Sequence, residues 1–492
     1  MKQARTGSTL WLVVAGSLVL SRTAVAAEVS AFQEVGETKT YSFCTDANQD
    51  GICEPGSYRM APSCAVTSWP QGGKLIAAMS TKGHSTSSPA RRMPVGTPQM
   101  HGRDPYEHHR SSSPLETLFD LTFAIAISQV AAQLARLLSA GHVFAGVAGF
   151  GFAMVSVCWA WVNFSWFASA FDTDDWLFRL VTMVQMAGVL LLALGLPRMF
   201  RSIEQGGYLD NSIMVLGYVV MRLGMVFQWL RVARQATKHR RAALTYVMTI
   251  VVAQAGWILL IFAHLSLSGF FALGTVLALL EFGGPVFAER MGTGTPWHAH
   301  HITERYGLLA IIALGEGIIG TVASISAIVE RWGWNVEALS VCVAGTALTF
   351  GLWWVYFLVP SAQALHDHRA RAFGWGYGHI LIFSAIAATG AGLQVTATFI
   401  EGKSTLGATA AILTIVIPVG AYLGLIYALN AYLVRSFERL QALLLVVTAG
   451  FIALPVVLAS RGISMTTCLL VLTLVPMVTV VGYELVGRRR SS

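Results

Sequence analysis

The chain has 492 residues, of which 55% are hydrophobic and only 12% charged. A soluble globular chain carries roughly 25% charged residues, so this composition excludes a soluble protein and makes lipid the main solvent. The formal charge of +8 is not a nucleic-acid signature, because the basic residues sit mostly in short links between apolar runs, as the positive-inside rule predicts.

In chain order, residues 1–26 read as a signal-like or anchor segment, with Lys2 and Arg5 before an apolar core and Ala24-Val25-Ala26 as a small-residue cleavage pattern. Residues 27–114 are polar and rich in Ser, Pro and Gly, with no sustained period. They read as largely disordered, above all from about Ser80 to Ser113. Cys44, Cys53 and Cys64 allow one disulfide and one leftover thiol. Asp46-Ala-Asn48-Gln-Asp50-Gly51 matches the first half of a calcium loop, but Ser57 stands where the closing Glu belongs. A polar turn closed by Cys44 and Cys53 is the preferred reading.

Twelve runs of about 20 apolar residues follow, each able to span a bilayer core. They cover 115–138, 142–168, 175–197, 210–231, 242–263, 267–285, 306–329, 336–360, 374–398, 405–430, 439–459 and 464–485. The expected fold is therefore all-α, a polytopic membrane bundle of about twelve helices. Cys158, Cys342 and Cys468 lie singly in these runs as packing residues. Basic residues concentrate after the fourth run (Arg231, Arg234, Lys238, Arg240, Arg241), at later links on the same side and in the tail Arg488-Arg489-Arg490. The link with Arg198 and Arg201 is the exception. This pattern puts both ends of the bundle in the cytoplasm. A cleaved signal peptide would place residues 27–114 outside and invert every link. A start further downstream, at Met93 or Met100, removes the conflict.

The runs read as two halves, 115–290 and 291–492, forming a parallel repeat of six and six. Trp161-Val-Asn-Phe164 in run two resembles Trp354-Val-Tyr-Phe357 in run eight. Glu116 opens run one as Glu304 opens run seven. Repeats of this kind build transporters and channels, with the site between the halves.

Ionisable side chains within apolar runs are functional candidates, because an unpaired charge there costs several kcal/mol. Glu116 and Asp120 share one face of run one at i,i+4 spacing. Arg222 lies near the middle of run four. Glu316 lies well inside run seven, in Leu314-Gly315-Glu316-Gly317, where the glycines allow close helix approach. Glu304 and Arg305 begin that run after His298, His300 and His301. Each carboxylate reads as a proton or cation relay, as a site for a transported cation, or as half of a structural ion pair with Arg222 or Arg305. The loop histidines carry no metalloprotease spacing, and there is no Gly-x-Ser-x-Gly elbow or P-loop, so neither a metal, a cofactor nor an enzyme is expected. Trp159, Trp161, Trp166, Trp353, Trp354 and Tyr356 read as packing or interface residues rather than a ligand cage.

The run Arg103-Asp-Pro-Tyr-Glu-His-His-Arg110, then Pro114-Leu-Glu116-Thr-Leu-Phe-Asp120-Leu-Thr-Phe123, resembles the opening of the bacterial low temperature requirement A family. His301-Ile-Thr-Glu304-Arg305-Tyr306-Gly307 through Gly315-Glu316 is similar to that family's most distinctive segment, and Trp353-Trp354-Val-Tyr-Phe357 and the Arg222 helix fit as well. The departures are Thr117, usually a large apolar residue, and Gly317, often Ser. The resemblance covers about 103–485 and implies a membrane address and an architecture, not a reaction. Asp120-Leu-Thr-Phe-Ala-Ile-Ala-Ile127 is also similar to the first-helix signature of a potassium-channel family built on six-helix repeats, although Leu118 and Phe119 replace its Phe-Ser and run seven lacks it.

The reading that results is a secondary transporter or ion-conducting protein of the cell (cytoplasmic) membrane. Glu116, Asp120, Arg222, His301, Glu304, Arg305 and Glu316 are its pathway residues. Asp120 and Glu316 handle the proton or cation, and Arg222 and Arg305 are their counter-charges. Its expected partners are the lipid bilayer, a small solute or cation, and further copies in a homo-oligomer, with no nucleic acid. The alternative is a membrane sensor or scaffold whose buried charges are structural.

Overall fold

The computed structural model describes residues 98–107, 110–435 and 439–484, and the backbone alone at 42–43 and 59–60. The signal-like segment, the calcium-like turn with its cysteines, Met93 and the basic tail lie outside the described residues. The chain divides into two compact units, Met1–Pro94 and Val95–Ser492. In the first, Ser42–Phe43 pairs antiparallel with Arg59–Met60. The second contains all the helices among the described residues.

These helices are α1 (Pro114–Ser139), α2 (Val143–Phe171), α3 (Trp176–Gln205), α4 (Ser212–Gln235), α5 (Arg240–Phe262), α6 (Leu267–Ala288) and α7 (Ala299–Trp332). Then come α8 (Val336–Phe357), the short α9 (Ser361–Asp367), α10 (Ala372–Ile400), α11 (Ala408–Val434), α12 (Arg439–Ser460), and α13 (Met465–Leu472) with α14 (Leu474–Gly482). Twelve helical segments among the described residues are long and apolar enough to cross a membrane, with α13 and α14 forming the last. The all-α membrane fold expected from composition is therefore the fold observed.

Most helix boundaries agree with the apolar runs, and two differ for identifiable reasons. Helix α3 continues through Pro197 to Gln205, because its last turns bury Met199, Phe200 and Ile203, with Phe200 seated over Gly149 of α2. That packing compensates for the backbone donor a helical proline lacks. Helix α7 begins at Ala299, earlier than the apolar run, because His298 accepts a hydrogen bond from the His301 amide as its N-cap. Residues 98–113 also depart from the disordered reading over their described part. Met100 is buried and its amide donates to Gln235, and the Arg103 amide donates to the Ala170 carbonyl at the end of α2.

Neighbours follow similar sequences in the two sets of six. Helix α1 packs on α2 and α3, α3 on α4, and α4 on α5. Likewise α7 packs on α8 and α10, α10 on α11, and α11 on α12. The sets meet where α1 and α2 contact α7 and α10, and α10 has the most buried span, at 78%.

Small residues set the closest approaches, as in membrane bundles generally, where backbones meet by packing rather than by a hydrophobic drive. A Cβ at Gly217 of α4 would lie 2.3 Å from the Leu192 amide nitrogen and 2.5 Å from the Gly188 carbonyl of α3. Backbone cannot yield as a side chain can, so α3 and α4 would have to separate. Gly217→Ala is expected to destabilise the detergent-solubilised protein by about 1–3 kcal/mol. Gly151→Ala, where nothing lies within 4 Å, should leave unfolding unchanged. Equal unfolding of both variants in a thermal melt would contradict this account of the contact.

Candidate functional site

The chain that forms the first charged cluster enters along the extended segment before α1. Arg110 is buried there and donates to the Ser169 and Ala168 carbonyls, satisfying the last carbonyls of α2. Burial lowers its pKa only to about 10, so it stays cationic. Asp172, just beyond α2, has its carboxyl pushed up to about 6 by burial and by the charge of Glu116, against the pull of the Asp174 amide and Arg110. The His298 ring donates from Nε2 to the Glu107 carbonyl and accepts at Nδ1 from the His301 amide. That arrangement fits a neutral ring, and burial lowers its pKa below the ordinary histidine range.

Ser113-Pro114-Leu115-Glu116 starts α1 with a capping box. The Ser113 hydroxyl accepts from the Glu116 amide, and Glu116 Oε2 accepts from the Ser113 amide at 2.8 Å. Glu116 thus caps its own helix while its other oxygen lies 2.9 Å from Arg305 Nη1 of α7, in ion-pair contact. One turn along α1, Asp120 Oδ1 accepts from Arg305 Nη2 at 2.5 Å and from the Trp161 indole of α2 at 2.6 Å. His301 Nε2 lies 3.2 Å from Glu116 Oε2. All four charged or titratable groups are at most 1% exposed. The i,i+4 spacing of Glu116 and Asp120 therefore directs both carboxylates at one guanidinium. Glu304, the neighbour of Arg305, instead faces outward and accepts from the Ser112 amide.

Arg222 does not join this cluster, nor does it approach Glu316. Its partner is Glu281 of α6, a residue the sequence reading missed, with Nη2 2.8 Å from Oε2. The same oxygen accepts from the Trp159 indole and the Tyr218 hydroxyl, and Oε1 accepts from the Trp257 indole at 2.9 Å. The signal that could have found it is the one used for Glu316: a carboxylate inside an apolar run, followed by glycines, here Gly283 and Gly284.

Glu316 is 4% exposed and stands apart. It lies about 16 Å further along α7 than Arg305, at 1.5 Å per residue. A Cβ at Gly390 of α10 would lie 2.5 Å from the Glu316 Cβ, and one at Gly317 would lie 2.5 Å from the Thr349 hydroxyl of α8. Gly315, expected to help this approach, faces open space instead. The polar side chain beside Glu316 is Ser128 of α1. Oε2 has no hydrogen-bond partner among the described residues, and none of the described ion pairs includes Glu316.

A cavity of about 490 Å³ opens where the links after α4, α6 and α9 meet. Trp159, Asn163 and Trp166 of α2 form one wall and Phe373 and Tyr377 of α10 another. Tyr106 lies at the rim, and Glu289 and Trp297 come from the stretch after α6. Trp159 and Trp166, read as packing or interface residues, line a cavity, whereas Trp353 and Trp354 are 43% and 45% exposed on the outside of the bundle. The cavity wall touches both ion clusters. Trp159 bonds Glu281 directly. The Trp166 indole donates to the Tyr306 hydroxyl, and Tyr306 packs edge-on against Trp161, the donor to Asp120.

Removing a buried guanidinium strands its carboxylates, which costs about 3–5 kcal/mol. Arg305→Gln is accordingly expected to lower the unfolding free energy in detergent by about that much. Adding Glu116→Gln and Asp120→Asn to it should restore part of the loss. A triple variant less stable than Arg305→Gln alone would contradict the pairing.

Residues 111–476 match the family described as "Bacterial low temperature requirement A protein (LtrA)". An uncharacterized protein of Rhizobium meliloti (strain 1021) is 24% identical over 302 residues, covering 56% of this chain and 67% of that protein. No solved structure matches. The matched segment covers most of the chain, including Glu116, Asp120, Arg222, Glu281, Arg305 and Glu316, and the protein belongs to the bacterial low temperature requirement A family.

Proposed function

We propose that the protein is a secondary transporter or ion-conducting protein of the cell membrane, oriented with both ends of its helix bundle in the cytoplasm. The observation that carries this reading is Glu316, a buried carboxylate with no basic partner among the described residues, at the meeting of α1, α7 and α10. A buried charge must be paired, or be neutralised by a proton or a bound cation. Asp120 and Glu116 already have Arg305, and Glu281 already has Arg222. Glu316 is therefore the ion-handling residue, and the role first shared with Asp120 narrows to it. The cavity at the basic end supplies a place for a small solute, within the range of 300–1,000 Å³ common for small-molecule sites. A parallel repeat of six and six would give the two halves a means of rocking about the contact of α1 and α2 with α7 and α10.

The second reading, a sensor or scaffold, is favoured by the closed geometry of Arg305 with Glu116 and Asp120. Neither carboxylate lines the cavity. Proteoliposomes separate the two. Proton- or cation-dependent flux is expected in the wild type, lost in Glu316→Gln and retained in Glu304→Gln, with folding checked by thermal melting. No flux above empty liposomes under any imposed gradient would overturn the transport reading and leave the scaffold.

A further inference from the structure

The charges on the cavity wall are not balanced. Lys238 and Arg369 line it as cations against one carboxylate, Glu289. That carboxylate is already occupied. Its Oε1 accepts from the Tyr246 and Thr295 hydroxyls at 3.0 and 2.6 Å, and its Oε2 accepts from the Thr295 amide at 2.9 Å. With three protein donors, Glu289 fixes the loop after α6 and has little capacity left for a foreign cation.

Donors on the wall, by contrast, remain unused. The Arg369 guanidinium lies over the Trp297 ring, 3.7 Å from its centroid, and Nη2 donates to the Trp297 carbonyl at 2.8 Å. Its Nη1 is buried without a hydrogen-bond partner among the described residues. The Trp229 ring stacks on Tyr246 at 4.1 Å with an interplanar angle of 4°. Trp229 is 3% exposed, and its indole N–H also lacks a partner among the described residues. Leaving a buried donor unsatisfied costs about 1–3 kcal/mol, and an acceptor from a ligand would remove that cost. Lys238 is exposed at the same cavity, so it can draw an anion toward the site without being locked in a pair. The rest of the wall is flat and aromatic, from Trp159, Trp166, Phe373 and Tyr377, and aromatic faces favour a planar ring in stacked or edge-on contact.

We propose that this cavity binds a planar aromatic organic anion, with its ring between the α2 and α10 aromatics and its carboxylate or equivalent group on the Arg369 side. The proposal deepens the transport reading and rests on the cavity being the solute site. It differs from a cation cage, which would need a free carboxylate where Glu289 is engaged and would place the ligand's charge beside Arg369.

The test is calorimetric titration of the full chain in phosphatidylcholine nanodiscs with three probes of one ring system: 2-naphthoate, 2-naphthylmethanol and 2-naphthylmethylammonium. Naphthoate should bind saturably and roughly tenfold more tightly than the alcohol, the scale of one charge-assisted hydrogen bond, with the ammonium weakest. Arg369→Gln should abolish the advantage of the acid over the alcohol while leaving the alcohol unchanged, which also shows that the cavity has folded. Trp229→Phe, which keeps the ring and removes the N–H, should weaken naphthoate, and Glu289→Gln should not. Tightest binding of the ammonium, no saturable naphthoate binding, or equal loss of acid and alcohol in a folded Arg369→Gln protein would each overturn the proposal. Binding needs no gradient. Intact binding without flux would therefore sink the transport reading alone, and Glu316-dependent flux without naphthoate binding would sink this inference alone.

Discussion

The fold depends on one guanidinium. Arg305 is 0% exposed and bonded to two carboxylates from a single face of α1. Taking a charge of this kind out of water costs several kcal/mol even after relaxation, and only close partners repay it. The repayment is not local: Glu116 and Asp120 belong to the first set of six helices and Arg305 to the second. The helix start itself is tied in, because Glu116 also closes the capping box of α1. A displacement of α7 against α1 by one residue would break both Arg305 ion pairs and the His301–Glu116 contact together, so the interface has one register.

That register positions everything else. With Arg305 held, Tyr306 is placed against Trp161, and its hydroxyl can take the Trp166 indole from the cavity wall. Further along the same helix, Glu316 is brought against Gly390, where only a glycine permits the approach. In the proposed reading, the pinned end of this helix fixes geometry, and its middle carries Glu316, which has no ion pair among the described residues, as a charge whose state changes. The Arg222–Glu281 pair repeats the first role inside the first set of helices, with two indoles and a tyrosine hydroxyl completing the coordination of Glu281.

The fold was largely legible in the sequence because membrane spans need long apolar runs, and those leave a signal that needs no tertiary information. The meeting of Glu116 and Asp120 was legible too, since i,i+4 spacing fixes a shared face. Which cation they meet was not, because Arg222 and Arg305 have the same chemistry and only packing separates them. Glu281 was overlooked although it too lies inside an apolar run, just ahead of Gly283 and Gly284. The cavity could not have been foreseen, because the α2 face that lines it has the same helical spacing as a packing face, and only tertiary structure brings it opposite residues of α4, α5, α10 and the links. Gly315 and Gly317 flank the same glutamate, yet only one faces a neighbour. Sequence gives the small residues, and the rotation of the helix decides which are used.

The central claim is that the carboxylates buried within the membrane-spanning helices divide into a structural set, ionised on arginine, and one exchangeable site at Glu316. Infrared spectroscopy of the purified protein at neutral pH, without added metal ions, tests it most directly by resolving the carbonyl stretch of a protonated carboxyl group. The account predicts such a band in the wild type, shifted on deuterium exchange, absent in Glu316→Gln and present in Asp120→Asn. A band that survives Glu316→Gln and disappears with Asp120→Asn would place the exchangeable proton in the Arg305 cluster and contradict the account.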